Sequence, residues 1–306
     1  MARTRHAFLL GSQRSGTTIL ARCLDLHPEI AHFYEPFYLW DHLIEGCPDD
    51  VPDPARFTPA FRRRIRASYA RFSDLAGKPV IVDKSPQHCY KVPYVHRVFP
   101  DARWVHLVRD GRAVTLSTHK EWLTRRQLAE QRDIGTFVRL ARRSLALQPF
   151  WRFKAMQIRY WLPRLGGPGR LLAINRDKWG GQVGWGQRFP GWREALSSLP
   201  LLEFNARQWT EAVRHARAGL DEVPGAQILT VRYESFVANP AEVLREICQF
   251  LELDCPESYL AALPDISAAP LDKWRQELSA DERARVEAVV ADTLTTLDYE
   301  LAGTTQ

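Results

Sequence analysis

Arg14 and Ser15 lie between Gly11 and Gly16, and Thr17 and Thr18 follow directly. A permanent cation and a row of hydroxyls on one short turn suit an oxyanion, most simply a phosphate. The turn sits in H-A-F-L-L-G-S-Q-R-S-G-T-T-I-L-A, from His6 to Ala21. Ala7 to Leu10 form an apolar run of buried-strand type, and Gly11 ends it. Thr17, Thr18, Ile19, Leu20, Cys23 and Leu24 resume with helical spacing, which predicts a helix from Ser15 to about Leu26, stopping before His27-Pro28. A strand, a tight loop and a helix N-terminus aim backbone N–H groups and the positive end of a helix dipole at one spot.

Gly11 and Gly16 have the spacing of a nucleotide-binding P-loop, G-x-x-x-x-G, but Thr17 stands where that motif has its lysine. The cation has moved to Arg14. This argues against a P-loop kinase or NTPase.

Three further candidates follow apolar runs. Glu35 comes after the extended segment Ala31–Tyr34, among Phe33, Tyr34, Phe37, Tyr38 and Trp40. Lys84 follows the strand 79–82. Arg109 follows the strand 102–108, and Ser117 lies two helical turns beyond it, so that a guanidinium and a hydroxyl can meet on one phosphate. His88 is a second acid or base candidate near Lys84. In open parallel sheets the C-terminal strand edge is where ligands bind.

G-S-Q-R-S-G-T-T resembles the 5′-phosphosulfate loop of sulfotransferases, which use 3′-phosphoadenosine 5′-phosphosulfate (PAPS). V-R-D-x-R-x-x-x-x-S, from Val108 to Ser117, resembles their 3′-phosphate motif. Leu24, His27-Pro28 and Glu35-Pro36 match the setting of the family's catalytic Glu, and R-Y-E-S-F…N-P near Tyr233 also resembles the family. The resemblance spans about residues 6–299. It implies sulfuryl transfer from PAPS to a hydroxyl or amine, with Glu35 as base and Lys84 and Arg14 stabilising the leaving phosphate. It implies donor contacts from Arg14, Ser15, Gly16, Thr17, Thr18, Arg109, Ser117, Tyr233, Lys273 and Trp274, with PAP as product and no metal. Cytosolic members use a His closer to the Lys than His88 is to Lys84, which makes His88 the second choice as base. Asp272 stands where relatives often have Ser. A noncatalytic PAP-binding protein is the alternative reading.

The elements that must position these residues are strands at about 6–10, 79–82, 102–108 and 227–231, interleaved with helices. That order predicts an α/β fold with a P-loop-type parallel sheet. Helices are expected from about Arg62 to Phe72, Tyr90 to Phe99, Glu203 to Leu220, Pro240 to Leu251 behind an Asn239 cap, and Ser279 to Leu297 behind a Ser279/Glu282 capping box. Cys47–Pro59 reads as a loop. The whole chain, 1–306, reads as one domain, with about 122–226 a largely helical acceptor-side or lid segment. Within it, Thr136–Trp161 reads as a basic amphipathic helix. The Gly- and Trp-rich stretch 179–192 is either a loop over the site or a packed surface loop.

The net charge is +6, mostly from arginine. That suits a phosphate-rich ligand or an acidic acceptor, and charge alone makes a weak case for nucleic acid. Five cysteines without paired spacing suggest neither a disulfide framework nor a zinc site, and point to a reducing compartment. The absence of a signal-type segment and of a long apolar run suggests a cytoplasmic, bacterial protein. Carbohydrate, lipid, peptide and small-molecule acceptors all remain open, as does the oligomeric state.

Overall fold

The structure, a computed structural model, describes residues 4–131, 135–136, 139, 142, 146, 150–151, 153–158, 178–268 and 271–301. Five parallel strands form one sheet in the order β2-β3-β1-β4-β5. They are β1 (Arg5–Leu10), β2 (Ile30–Tyr34), β3 (Val80–Lys84), β4 (Arg103–Val108) and β5 (Ile228–Arg232). The register sets Leu9 beside Lys84 and Val105, and Tyr34 beside Lys84. All five C-terminal ends therefore reach one edge. The expected sheet is present, with the 31–34 segment as a fifth, outer strand.

Apolar residues alternate to both faces, as a sheet covered on both sides requires. Phe8, Leu10, Phe33, Ile81 and Trp104 join one cluster with Tyr69, Phe72 and Val95. Ala7, Leu9, Val80, Val82, Val105 and Leu107 join another with Leu20, Leu24, Leu244 and Ile247. A third cluster fastens the helices Gly111–Glu130, Leu201–Leu220 and Ala280–Thr296 together.

The helix expected from Arg62 starts at Pro59, because Thr58 accepts a bond from Phe61 N–H and proline fits the first turn. Pro54–Arg56 forms a short 3₁₀ turn inside the expected loop. Pro240 opens its helix as expected, but the Asn239 side chain makes no capping bond. The Ser279/Glu282 capping box is present in full. Thr136–Trp161 lies mostly outside the described residues. No described helix is long and apolar enough to cross a membrane.

His106 on β4 is buried, and burial, helped by the Arg217 charge, lowers its imidazole to about 4. The unfolded chain takes up this proton near pH 6.5, whereas the folded chain resists until about pH 4. Unfolding therefore binds protons across that window, so stability falls as pH falls, at up to about 1.4 kcal/mol per pH unit from this residue. His106→Gln should flatten the loss of stability between pH 6.5 and 4, measured by urea unfolding. A slope equal to that of the parent would show that His106 does not contribute.

Candidate active site

The helix Thr17–Asp25 begins at Gly16, and no side chain caps its first turn. Its leading N–H groups are thus available to an anion. Ser12 and Ser15 bond each other through their hydroxyls at 2.6 Å, which closes the loop from within. Gly16 has φ +94°, and a Cβ there would meet the Tyr233 ring at 2.2 Å. Only glycine combines that backbone with so close an aromatic neighbour. Thr17, in the P-loop lysine position, is buried, while Thr18 is exposed at the loop mouth.

Arg14 also has a positive φ, 65°, and its side chain is 44% exposed. Its Nε donates to Ser117 Oγ at 2.9 Å. Arg109 Nη1 donates to the Arg14 carbonyl at 2.9 Å, and the guanidinium lies 4.5 Å from the Tyr233 ring centre. Burial pulls the Arg109 guanidinium below its ordinary value. Arg109 and Ser117 thus both bond Arg14, the first at its backbone carbonyl and the second at its side chain. Tyr233 is the shared support, against Gly16 on one side and Arg109 on the other.

The rest of the R-D-G-R turn is structural. Asp110 Oδ1 accepts from Arg112 N–H at 2.8 Å, and its carboxylate grips the Arg112 guanidinium with contacts at 3.0 and 2.9 Å. Glu234 accepts from Asp110 N–H at 3.0 Å and from Tyr299 OH at 2.7 Å. Trp274 is buried against Arg112, 4.3 Å from guanidinium carbon to ring centre, and Lys273 is exposed on the same short helix. The late K-W segment thus meets the Arg109–Ser117 segment through Arg112.

Lys84 is fully buried. Its Nζ donates to Thr18 Oγ1 at 3.1 Å, pairs with Glu35 Oε1, and lies 4.7 Å from the Tyr34 ring centre. Glu35 N–H donates to the Lys84 carbonyl at 3.1 Å and the residue takes φ +36°. Its side chain is 29% exposed. His88 lies elsewhere: it is 1% exposed, with Nε2 2.8 Å from Asp83 Oδ2. Tyr69 OH donates to the same Asp83 oxygen, and Trp40 Nε1 donates to Tyr69 OH at 3.0 Å.

The 179–192 stretch is packed. Trp179, Phe189 and Trp192 are buried, and Trp192 Nε1 donates to Pro48 O at 2.8 Å. Arg188 grips Asp50 through Nε at 3.1 Å and Nη2 at 2.9 Å. Burial raises the Asp50 carboxyl, but Lys178, Arg188 and the bond from Arg188 N–H bring it below its usual value. The sequence reading missed Asp50, Arg188 and Glu234. Nothing local marks them, since their partners are distant in the chain.

Cations, hydroxyls and open amides at one strand edge make a site for an anionic ligand, with one carboxylate facing it. A family model for the sulfotransferase family matches residues 7–161 and 185–257. The chain belongs to the sulfotransferase family. Over 130 residues, 38% of this chain, it is 30% identical to nodulation protein NoeE of Sinorhizobium fredii (strain NBRC 101917 / NGR234). Over 123 residues, 35% of this chain, it is 29% identical to human protein-tyrosine sulfotransferase 1. The matched stretch spans 31% of the length of each of these relatives. The fold is similar to the sulfotransferase domain from the curacin biosynthetic pathway, with 15% identity, TM-score 0.52, and coverage of 98% of this chain and 100% of that one. It is similar also to a sulfotransferase from Alicyclobacillus acidocaldarius, with 18% identity, TM-score 0.51, and coverage of 99% and 98%.

Gly16→Ala should lower stability by about 2 kcal/mol or more, from the positive φ and the ring contact together. If the Tyr233 ring is the obstacle, adding Tyr233→Ala should cost less than its effect in the parent. Urea unfolding of both single variants and the double variant measures this. Strict additivity would assign the loss to the backbone alone.

Proposed function

We propose that this sulfotransferase takes its sulfuryl group from PAPS, releases PAP, and delivers the group to a hydroxyl or amine with Glu35 as general base. The observation that carries the reading is the convergence of Arg14, Lys84, Arg109 and Ser117 on the mouth of the Gly11–Thr18 turn, with Glu35 in contact with Lys84. The residues fit such a donor: they offer N–H groups, hydroxyls and permanent cations, and Gly16 leaves the loop free of a side chain there.

PAPS would supply an activated sulfuryl group on a phosphate leaving group; the chain binds, orients and handles charge and proton. Ser15, Gly16, Thr17 and Thr18, with their amides and hydroxyls, would hold the 5′ side. Arg109 and Ser117 would hold the 3′-phosphate, with Tyr233 beneath them and Lys273 and Trp274 as outer donor contacts. Lys84 and Arg14 would stabilise the negative charge that grows on the leaving oxygen, an effect strongest where water is excluded. Lys84 cannot give its full charge to both the donor and Glu35. Its engagement with the donor would release the Glu35 carboxylate to take the acceptor proton as the new bond to sulfur forms.

Glu35 is favoured over His88 by exposure and by side. Asp83 and Lys84 are successive strand residues and point to opposite faces of the sheet. His88 shares the Asp83 face and is enclosed there, while Glu35 shares the Lys84 edge and is partly open. The acceptor would be a small molecule, carbohydrate, lipid or peptide, and the five free cysteines fit a reducing, cytoplasmic setting.

Arg109→Ala should weaken PAP binding about 10- to 100-fold, the range for a lost charged hydrogen bond. Binding of adenosine 5′-phosphosulfate, which lacks the 3′-phosphate, should change far less. Calorimetry decides, and equal losses would remove the 3′ assignment.

Glu35→Gln should bind PAP normally and lose about 10²–10⁴ in turnover, the usual worth of a general base. His88→Asn should retain turnover. An acceptor screen with isotopically labelled PAPS and mass-spectrometric detection provides the assay. Normal turnover in Glu35→Gln with loss in His88→Asn would move the base to His88.

A further inference from the structure

Gln13 is buried inside the 5′ loop, although the anion chemistry makes no use of it. Its Oε1 accepts from Gln187 N–H at 3.1 Å. Gly186 has φ +89°, and a Cβ there would come within 2.3 Å of the Gln13 amide nitrogen. The 179–192 strap is thus pressed onto the loop at a point that admits no side chain. Gln187 then reaches the other way: its Nε2 donates to Pro86 O at 2.6 Å, two residues after Lys84. Gln208, on the helix Leu201–Leu220, fastens the strap from behind. Its Nε2 donates to Trp185 O at 3.1 Å and to Gln187 O at 2.9 Å. Its Oε1 accepts from Trp122 Nε1 at 3.2 Å, and Trp122 lies on the helix that carries Ser117. Gln187, Gln208 and Trp122 are all 2% exposed or less.

Buried amides whose bonds run to three separate segments fix the spacing of those segments, because each broken bond would strand a buried polar group. We infer that Gln187 and Gln208 are positioning residues of the donor site: through the strap they hold the 5′ loop, the Lys84 segment and the Ser117 helix in register before any ligand arrives. The strap is therefore a fixed wall of the donor cleft. This inference rests on the donor reading above, since it assigns the preformed register to nucleotide binding.

The test uses the full chain. In Gln208→Leu, amide hydrogen exchange should accelerate about tenfold in both 185–187 and 12–16, and PAP affinity by calorimetry should fall about tenfold, the equivalent of one or two net hydrogen bonds. Gln13→Leu approaches the same clamp from the loop side, and should loosen 185–187 and weaken PAP similarly even if Gln208→Leu fails to fold. Trp192→Phe removes the bond to Pro48 at the far end of the strap. It should lower the melting temperature yet leave PAP affinity and exchange in 12–16 at parent values. Faster exchange confined to 185–187, with parent PAP affinity, would overturn the positioning role. Failure of the parent protein to bind PAP would instead overturn the donor reading, and the 12–16 exchange would still decide whether the clamp exists.

Discussion

The buried ammonium of Lys84 sets the terms for the site. An unpaired charge in a protein interior costs several kcal/mol, so its surroundings must answer it. They do so with the Glu35 carboxylate, the Thr18 hydroxyl and the face of the Tyr34 ring. They come from two neighbouring strand ends, Glu35 and Tyr34 from β2 and Thr18 from the first turn of the helix after β1, while Lys84 itself comes from β3. The parallel register makes this possible, because it brings Tyr34 and Leu9 alongside Lys84. Glu35 takes a backbone conformation that non-glycine residues rarely adopt, at φ +36°, held by its N–H bond to the Lys84 carbonyl. Strain of this kind persists where surrounding bonds over-determine it, and it gathers at functional sites.

The sequence was most legible where structure is made locally. The glycine-bounded turn is written within eight consecutive positions, Gly11 to Thr18, flanked by an apolar strand and a helical repeat, and it folds as that pattern dictates. The strand-end positions of Lys84 and Arg109 follow from short apolar runs that precede them. The identity of their partners was less legible. Arg109 and Ser117 could be read as a pair, yet the bond that unites them runs through Arg14, a contact across 95 and 103 positions. The strap was illegible for the same reason: its glycines and tryptophans show only that no regular helix can form. What they pack against, Gln13, Pro48 and Asp50, lies 138 to 174 positions away. The Asn239–Pro240 pair was legible as a helix start, although the Asn239 side chain makes no capping bond.

Strand alternation also explains how two neighbouring charged residues on β3 came to different uses. Asp83 and Lys84 are adjacent in sequence and both fully buried. Asp83 points into the aromatic cluster, where Tyr69 and His88 approach one of its oxygens and Trp40 supports Tyr69. Burial first, and the Asp83 charge second, hold the Tyr69 phenol well above its usual range, so it serves as a fixed donor. Rings from Phe8, Trp40 and Tyr69 crowd this group. Asp83 Oδ2, through Tyr69 and His88, ties the helix Pro59–Ala76 and the Pro86–Tyr90 turn to the sheet. Lys84, one residue on, points to the opposite face beside the Gly11–Thr18 turn, where its carboxylate partner is partly open to solvent. The first carboxylate has hydrogen-bonding neighbours and an enclosing apolar wall, which suits a structural tie. The second has a cation that an anionic ligand can compete for and a route to water, which suits chemistry. One step along a strand thus separates the group that holds the sheet edge together from the group that can act there.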